Sequence, residues 1–386
     1  MREKQTAVFS WGMGTDGQLG HQNFSLTTDV LGGDNYIQLE PRRMVKSKRF
    51  SEVACGDSFS LGLTESGDIF GWGRGFAGDD SQSNVPVPIN LPSGAPAIKK
   101  IFAGSKHAAA IDENGQVLTW GFGGSWFKGG GQLGHGDTSS RGTPTYVETF
   151  KDYGSRAVHV SLGNSHSLFL TEDGEVLSCG IDDYGRLGTG TSSNAITPEP
   201  LIELLDETIV QARAGNAHSI ALSESGKIYT WGRNDAGQLG HGDSYIDIYS
   251  MEEFPRAIES EELKKQTVSQ VIAGYQRCGA LTHEGNLFVW GIKLSHVPAM
   301  VDREAMGGMK IVAAGFGGNA GSAVITMLAE DGSLWAIGDR SSRMLGMKNP
   351  PKRLTDAGKV EGSWLGKVVA ISTGPGLHQA CIAEME

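Results

Sequence analysis

The sequence predicts an all-β fold, a closed ring of seven blades, on three observations. A pair formed by a bulky residue and glycine recurs seven times, at Trp11-Gly12, Trp72-Gly73, Trp120-Gly121, Cys179-Gly180, Trp231-Gly232, Trp290-Gly291 and Ile337-Gly338. Its period of roughly 50–60 residues is typical of a tandem repeat. In the last six copies a turn glycine lies upstream at a constant distance. The two ends of the chain carry complementary parts of one repeat.

Each repeat has the pattern of a β-hairpin. In the most regular copy, residues 219–222 form a short apolar strand, Ser225-Gly226 makes a tight turn, and residues 227–231 form the return strand. Hairpins of this size cannot bury their own faces, so they must pack side by side. A circular array also removes exposed sheet edges.

Closure of the ring is predicted from the termini. The last repeat begins at Thr373-Gly374 and ends near Ile382, before its own turn and Trp-Gly strand. The chain begins with that strand, at residues 7–14. We therefore expect the N-terminal strand to complete the last blade, and residues 1–386 to form a single propeller domain.

Composition excludes several classes of protein. Glycine supplies 56 of 386 residues, about twice the usual share of roughly 7%. The net charge of −11 argues against direct binding of nucleic acid or chromatin, which requires clustered basic residues. The four cysteines are far apart and are expected to be buried free thiols. They are Cys55, Cys179, Cys278 and Cys381.

The sequence also limits the expected cellular location of the protein. No apolar stretch reaches the 18 or so residues that a membrane span needs, so no membrane association is expected. The opening residues, MREKQTAVFSWG, enter a strand almost at once and leave no room for a signal or transit peptide. We expect a cytoplasmic protein. The nucleus, or an organelle reached with a presequence since removed, is the alternative.

Several segments resemble the repeat of the regulator of chromosome condensation family. They read WGRNDAGQLGHGD, WGFGGSWFKGGGQLGHGD, CGIDDYGRLGTGT and WGMGTDGQLGHQ. The resemblance extends from Ala7 to Ile382. It implies a seven-bladed β-propeller. The family's plant ultraviolet-B photoreceptor uses a Gly-Trp-Arg-His-Thr motif, which does not occur here.

One repeat is stretched. Trp120 lies eleven residues before the glycine of its GQLG segment, whereas Trp231 lies six residues before the equivalent Gly237. The excess lies within residues 123–131 and contains Trp126, Phe127 and Lys128. We expect this tip to contact a partner; the alternative is that its aromatic residues pack on the edge of their own blade. The family's Ran exchange factor carries an insertion at the same repeat.

Three histidines occupy equivalent positions in three repeats. His107, His166 and His218 each follow a strand-leading glycine by three residues. On separate blades they cannot converge on a metal, and no nucleophile–base set or phosphate-binding loop accompanies them. We expect each to bond backbone between blades. No catalytic residue, metal or cofactor is predicted.

Three further segments are irregular. Arg42 and Arg43 belong to a basic cluster with Lys46, Lys48 and Arg49, which is either a patch for an acidic partner, an import signal or a solvated strand face. Residues 22–38 form an unusually long loop. The Glu- and Lys-rich run at 251–265 is predicted as a short helix.

The predicted function is that of a monomeric scaffold or regulatory binding module, whose loops dock other proteins. The alternative is guanine-nucleotide exchange on a small GTPase, which the family resemblance implies. Ser105 and Ser165 stand where the Ran exchange factor has acidic residues, and the loop at 314–319 lacks its histidine. These differences argue against Ran itself as the GTPase.

Overall fold

A computed structural model describes residues 6–21, 37–44, 49–79, 81–125, 129–243, 247–319, 321–340, 344–351, 356–361 and 366–385. These residues form seven four-stranded antiparallel sheets and one short two-stranded ribbon. The innermost strands of neighbouring sheets pack against one another around a complete circle. The predicted all-β, seven-bladed propeller is confirmed.

The strands, in chain order, are β1 Thr6–Met13, β2 Ile37–Arg43, β3 Glu52–Cys55, β4 Phe59–Leu63, β5 Ile69–Arg74, β6 Gln82–Pro88, β7 Ile98–Ala103, β8 His107–Asp112, β9 Val117–Gly121, β10 Gly124–Ser125, β11 Gly129–Gly130, β12 Arg141–Tyr146, β13 Ala157–Leu162, β14 His166–Thr171, β15 Val176–Gly180, β16 Ala195–Pro200, β17 Ile209–Ala214, β18 His218–Ser223, β19 Ile228–Arg233, β20 Met251–Ala257, β21 Val268–Ala273, β22 Arg277–Thr282, β23 Leu287–Gly291, β24 Ala299–Met300, β25 Ile311–Gly317, β26 Val324–Ala329, β27 Leu334–Gly338, β28 Gly358–Lys359, β29 Val368–Thr373 and β30 His378–Glu384. Helical structure is limited to α1 Thr149–Asp152 and to 3-10 turns at Asp183–Gly185, Ile202–Leu204, Leu263–Lys265 and Glu304–Met306.

Each blade orders its strands from the central channel outward. Blade 1 is β3-β4-β5-β6, blade 2 is β7-β8-β9-β12, and blades 3 to 6 are the successive groups of four from β13 to β28. Blade 7 is β29-β30-β1-β2. Apart from Glu384 at the end of β30, every residue of the second strands is buried, as His166–Thr171 shows, because a neighbouring blade covers each face of the strand. This explains why they read as continuous rather than alternating apolar runs.

The glycine of the Trp-Gly pair is required by the backbone. Gly232 has φ +99°, and a Cβ there would lie 2.7 Å from the carbonyl oxygen of Ala217. The pairing register between β19 and β20 shifts at this point. A side chain would therefore be strained and would collide with the start of β18. All seven glycines of the pairs share a positive φ.

Strand β1 lies between β30 and β2 in blade 7. It pairs with β30 over seven residues, from Thr6 opposite Glu384 to Gly12 opposite His378. The indole Nε1 of Trp11 donates a hydrogen bond to the carbonyl of Met344, which belongs to the neighbouring blade 6. The first and last described strands of the chain thus share one sheet.

The innermost strands line a central channel with a cavity volume of about 520 Å³. Side chains on these strands bond the next blade's backbone, as when Gln211 Nε2 donates to the Ser269 carbonyl at 2.6 Å. Burial raises the pKa of Glu52 to about 7 and lowers that of Arg213 to about 10. The wall of the channel thus contains hydrogen bonds between neighbouring blades and few charged groups.

The sequence predicts two segments, at 251–265 and 22–38, that differ from the regular repeats. The helix predicted at 251–265 is wrong for most of its length, since Met251–Ala257 is the outer strand β20 and pairs with β19. Only Leu263–Lys265 makes a 3-10 turn. Of the long loop predicted at 22–38, residues 22–36 lie outside the described residues. No helix in the described part of the chain is long and apolar enough to cross a membrane.

Candidate interaction site

The propeller has two distinct faces. Because the strands of a blade alternate in direction, the loops joining first to second and third to fourth strands emerge on one side. That side carries the stretched segment at 122–140, and we call it the insertion face. The opposite side carries the tight hairpin turns and the connections between blades.

Buried histidines beneath the insertion face link neighbouring blades. His107 Nε2 lies 3.0 Å from Ser167 Oγ, and that hydroxyl donates to the Gln132 carbonyl at 2.6 Å. Since the serine proton is committed to the carbonyl, the imidazole is the donor in the first bond. The same arrangement joins His166 to Ser219.

The predicted backbone partner is confirmed for one of the three histidines and is wrong for the other two. His218 bonds a backbone oxygen, that of Arg277 at 3.2 Å, as expected. For His107 and His166 the partner is instead a serine hydroxyl of the next blade, because serine occupies the position opposite. Burial lowers the pKa of His107 and of His218 to about 4. These neutral, enclosed imidazoles hold blades together.

The tryptophans of the Trp-Gly pairs also join blades. All five are at most 1% exposed, so they are packing elements of the core. Each indole Nε1 donates to a carbonyl in the loop between third and fourth strands of the preceding blade. The donor–acceptor pairs are Trp11–Met344, Trp72–Gln18, Trp120–Phe76, Trp231–Arg186 and Trp290–Gln238.

The stretched segment has a defined stem. Strands β10 and β11 form an antiparallel ribbon, with Gly124 opposite Gly130 and Ser125 opposite Gly129. A Cβ on Gly124 would lie 2.6 Å from the Cα of Gly130, so the ribbon's two strands approach too closely for a side chain. The predicted contacts Trp126, Phe127 and Lys128 fall between these strands and lie outside the described residues.

A pocket of about 470 Å³ lies between blades 1 and 2, and Phe122, two residues before this stem, forms part of its wall. Phe122 is 39% exposed, and the Lys106 Nζ lies 5.8 Å from its ring centroid. This geometry is that of a cation–π contact. Asp57, Arg74 and Asp79 also line the pocket. The site thus combines one exposed aromatic ring with charges of both signs.

The two carboxyl groups of this pocket have different electrostatics. Partial burial raises the pKa of Asp57; Lys106 opposes the shift, and Asp16 adds to it. Hydrogen bonds from the Ser81 side chain and backbone lower the pKa of Asp79. Near neutral pH the carboxylate of Asp57 is the less favourably solvated of the two, so a cationic partner group would relieve it.

The structure places the other predicted residues apart from this pocket. Arg42 and Arg43 are half-buried on β2, the outer strand of blade 7, where they pair with Ser10 and Phe9. Blade 1 separates them from the stem in blade 2. This location agrees with the alternative interpretation of the cluster as a strand face.

Sequence reasoning missed Asp57, Lys106 and Phe122. Phe122 is the one aromatic residue that directly follows any of the seven pairs, which was a usable signal. Asp57 in blade 1 occupies the same loop position as Ser105 in blade 2. An acidic residue is thus present at this position of the repeat, but in blade 1 and not in blade 2, where the resemblance led us to expect it. Their proximity across a blade junction has no signature in the linear sequence.

Comparisons with known proteins agree with this architecture. The regulator of chromosome condensation (RCC1) repeat model matches residues 7–63, 114–170, 173–222 and 225–281, more than half of the chain. A second RCC1 repeat model matches residues 50–79, 98–125, 157–186 and 209–238. The crystal structure of human WBSCR16 superposes with a TM-score of 0.81 at 23% identity, covering 99% of this chain and 100% of that one. Prp20p of Saccharomyces cerevisiae superposes with a TM-score of 0.81 at 16% identity, covering 100% and 93%.

Curated relatives differ in length from this chain. The ultraviolet-B receptor UVR8 of Arabidopsis thaliana is 32% identical over 74% of this chain and 60% of its own length. The human E3 ubiquitin-protein ligase HERC2 is 34% identical over 68% of this chain, which is only 5% of that protein. The mitochondrial RCC1 domain-containing protein RUG3 of A. thaliana is 28% identical over 97% of this chain and 88% of its own. With its repeats matched and its seven blades observed, the chain belongs to the regulator of chromosome condensation (RCC1) repeat family.

Proposed function

We propose that this propeller is a protein-interaction module that docks a partner on its insertion face. Trp126 and Phe127 are the apolar anchors in this proposal, and Lys128 is a flanking cation. The observation that carries it is the ribbon of β10 and β11, which flanks these three residues in the sequence and follows Phe122, a residue that lines the pocket of Asp57 and Lys106. Aromatic anchors beside a pocket with charges of both signs are typical of interaction hot spots.

The composition of the site favours binding over catalysis. Its charged groups come from two different blades, and the neighbouring His107 is buried and neutral. Proteins with this architecture generally use a rigid ring to present variable loops, and the loops carry the function. Family membership supports the proposal, because relatives as different as a photoreceptor and ubiquitin ligases share the repeat.

Affinity capture with paired variants tests the proposal. The test variant replaces Trp126 and Phe127 by serine. The matched control replaces Ile202 and Leu205, which are 75% and 51% exposed on the opposite face, by serine. Both variants remove two apolar side chains from loops, so a loss of partner confined to the first variant assigns binding to the insertion face.

A second candidate function is nucleotide exchange on a small GTPase. Its support is the similarity to Prp20p, a protein whose binding to Gsp1p and histones has been described. The serines at Ser105 and Ser165 argue against Ran, while Asp57 supplies an acid in the adjacent blade. The test is nucleotide release from a panel of small GTPases. If catalytic amounts of the protein accelerate release, nucleotide exchange replaces the pure scaffold role as the function.

The compartment proposed from the sequence is the cytoplasm, and an organelle is the alternative. The relative that covers 97% of this chain is described as mitochondrial, which supports the alternative. Imaging of the protein expressed from its own gene, with a tag after Glu386, distinguishes them. The proposed monomeric state is tested in the same preparation by sedimentation velocity.

A further inference from the structure

Two of the seven junctions between blades lack the indole that the other five contain, and one of these two also lacks the loop that covers it. Where blade 6 packs on blade 5, Ile337 replaces the tryptophan, opposite Ile325 on the neighbouring strand. The loop that would cover an indole is also shortened, because residues 292–298 join β23 to β24 whereas residues 234–250 join β19 to β20 in blade 4. Both parts of the usual contact are therefore missing here.

A cavity of about 380 Å³ occupies this junction. Its walls include the buried side chains of Val289, Ile325 and Ile337, together with Leu294 from the shortened loop. Pockets that hold small ligands have volumes of about 300–1,000 Å³ and mainly apolar walls. The size and lining suit a single aromatic side chain.

Loss of tryptophan alone does not produce such a cavity. At Cys179, the other pair without tryptophan, the loop of the preceding blade is retained, and Gly134 packs between Pro198 and the Cys179 sulfur. Both Cys179 and Pro198 are buried. The space at Ile337 therefore follows from the combined loss of the ring and of its covering loop.

A buried arginine lines the same cavity. Arg277 is 5% exposed, and its Nε donates to the Ile292 carbonyl at 3.1 Å. Among the described residues no carboxylate lies within ion-pair distance of its guanidinium, although Asp302 and Asp339 also line the cavity. Burial lowers the pKa of Arg277 to about 10. A buried cation without a counter-ion is unfavourable, so an incoming anion would stabilise it.

We propose that the cavity between blades 5 and 6 binds an aromatic side chain adjacent to a carboxylate on a partner polypeptide. The ring takes the place that tryptophan fills at five other junctions, and the carboxylate pairs with Arg277, a bidentate contact that guanidinium geometry favours. The inference rests on the proposed function only in taking the ligand to be part of a partner protein. It does not involve the insertion.

Two probes separate the contributions of ring and charge. N-acetyl-5-fluorotryptophan carries both groups, and its amide carries the ring without the carboxylate. Fluorine NMR titration of the full chain measures the dissociation constant of each probe. We expect the acid to bind about tenfold more tightly than the amide, the usual value of one charge-assisted pair.

Three variants test the assignment. Arg277→Met should abolish the tenfold preference for the acid while leaving the amide's affinity unchanged. Arg213→Met removes a buried arginine from the central channel, and it should change neither the tenfold preference for the acid nor the affinity of the amide. Ile337→Trp should fill the cavity and reduce the affinity of both probes at least tenfold. A preference that survives Arg277→Met, or is lost in Arg213→Met, would overturn the proposal, as would the absence of binding to the wild-type chain. Partner capture does not enter this measurement, so the proposed function can fail without affecting it.

Discussion

Deleting residues 1–12 removes nearly all of β1 and tests how far the ring depends on its closing strand. Val8, Phe9 and Trp11 are at most 6% exposed, and burying a large apolar side chain contributes about 1.5–3 kcal/mol. The three together contribute about 5–9 kcal/mol, against a total stability of about 5–15 kcal/mol for a typical folded domain. The deletion also exposes the unpaired edge of β30.

We therefore expect the truncated protein to be unfolded or oligomeric at 25 °C. Sedimentation velocity and thermal unfolding by circular dichroism measure these outcomes. A synthetic peptide of residues 1–14, added in excess, should restore the monomer and its melting temperature, because it can pair with β30 in place of β1. Deletion of residues 1–5, which precede β1, is the matched control. A monomeric truncated protein that melts at the wild-type temperature would refute the role assigned to β1.

Two further predictions concern the contacts between blades. Trp231→Phe should lower the free energy of unfolding by about 1 kcal/mol, the value of one net hydrogen bond, and Trp231→Ala by about 3–5 kcal/mol, in urea titrations. Equal losses would contradict this division, because they would show that packing of the ring adds nothing beyond the indole N–H. His378 of blade 7 makes an interblade contact like that of His107, since its Nε2 lies 2.9 Å from the Ser60 hydroxyl of blade 1. The free energy of unfolding should also fall as the pH drops from 6.5 to about 4. Burial lowers the pKa of both histidines to about 4 in the folded state, so the unfolded chain takes up protons first. Each histidine contributes a slope of up to about 1.4 kcal/mol per pH unit, and replacing both by glutamine should flatten the profile; an unchanged slope would contradict this assignment.

The ring could be predicted because its determinants are local and repeated. A glycine with positive φ, a tight turn and a fully buried strand each impose residue types at fixed spacing, as at Gly232 and Ser225-Gly226. Seven repetitions make such a pattern unmistakable. The complementary termini likewise predicted which strands would share blade 7.

Contacts between blades could not be predicted in the same way. The sequence shows His107 and His166 but not the serines opposite them, which lie 60 and 53 residues away. The helix expected at 251–265 failed for a related reason. Its Glu- and Lys-rich composition suits a helix, but pairing with β19 determines the strand, and Pro255 is tolerated because β20 is an edge.

The candidate site was predicted only in part. Its insertion was identified from one stretched spacing, and the ribbon of β10 and β11 now provides a stem for it. The pocket beside it requires Asp57 and Lys106 from two loops 49 positions apart, so only the folded ring brings them together. The roles of Trp126, Phe127 and Lys128 stay predictions.

We propose that partners bind the insertion face through Trp126 and Phe127. The most direct measurement is the dissociation constant of a captured partner for the wild-type protein, for the variant with serine at both positions, and for the control with serine at Ile202 and Leu205. Two hot-spot aromatics predict a loss of at least about 30-fold for the first variant, no change for the control, and equal melting temperatures. Unchanged binding by the first variant, or an equal loss in the control, would contradict the claim.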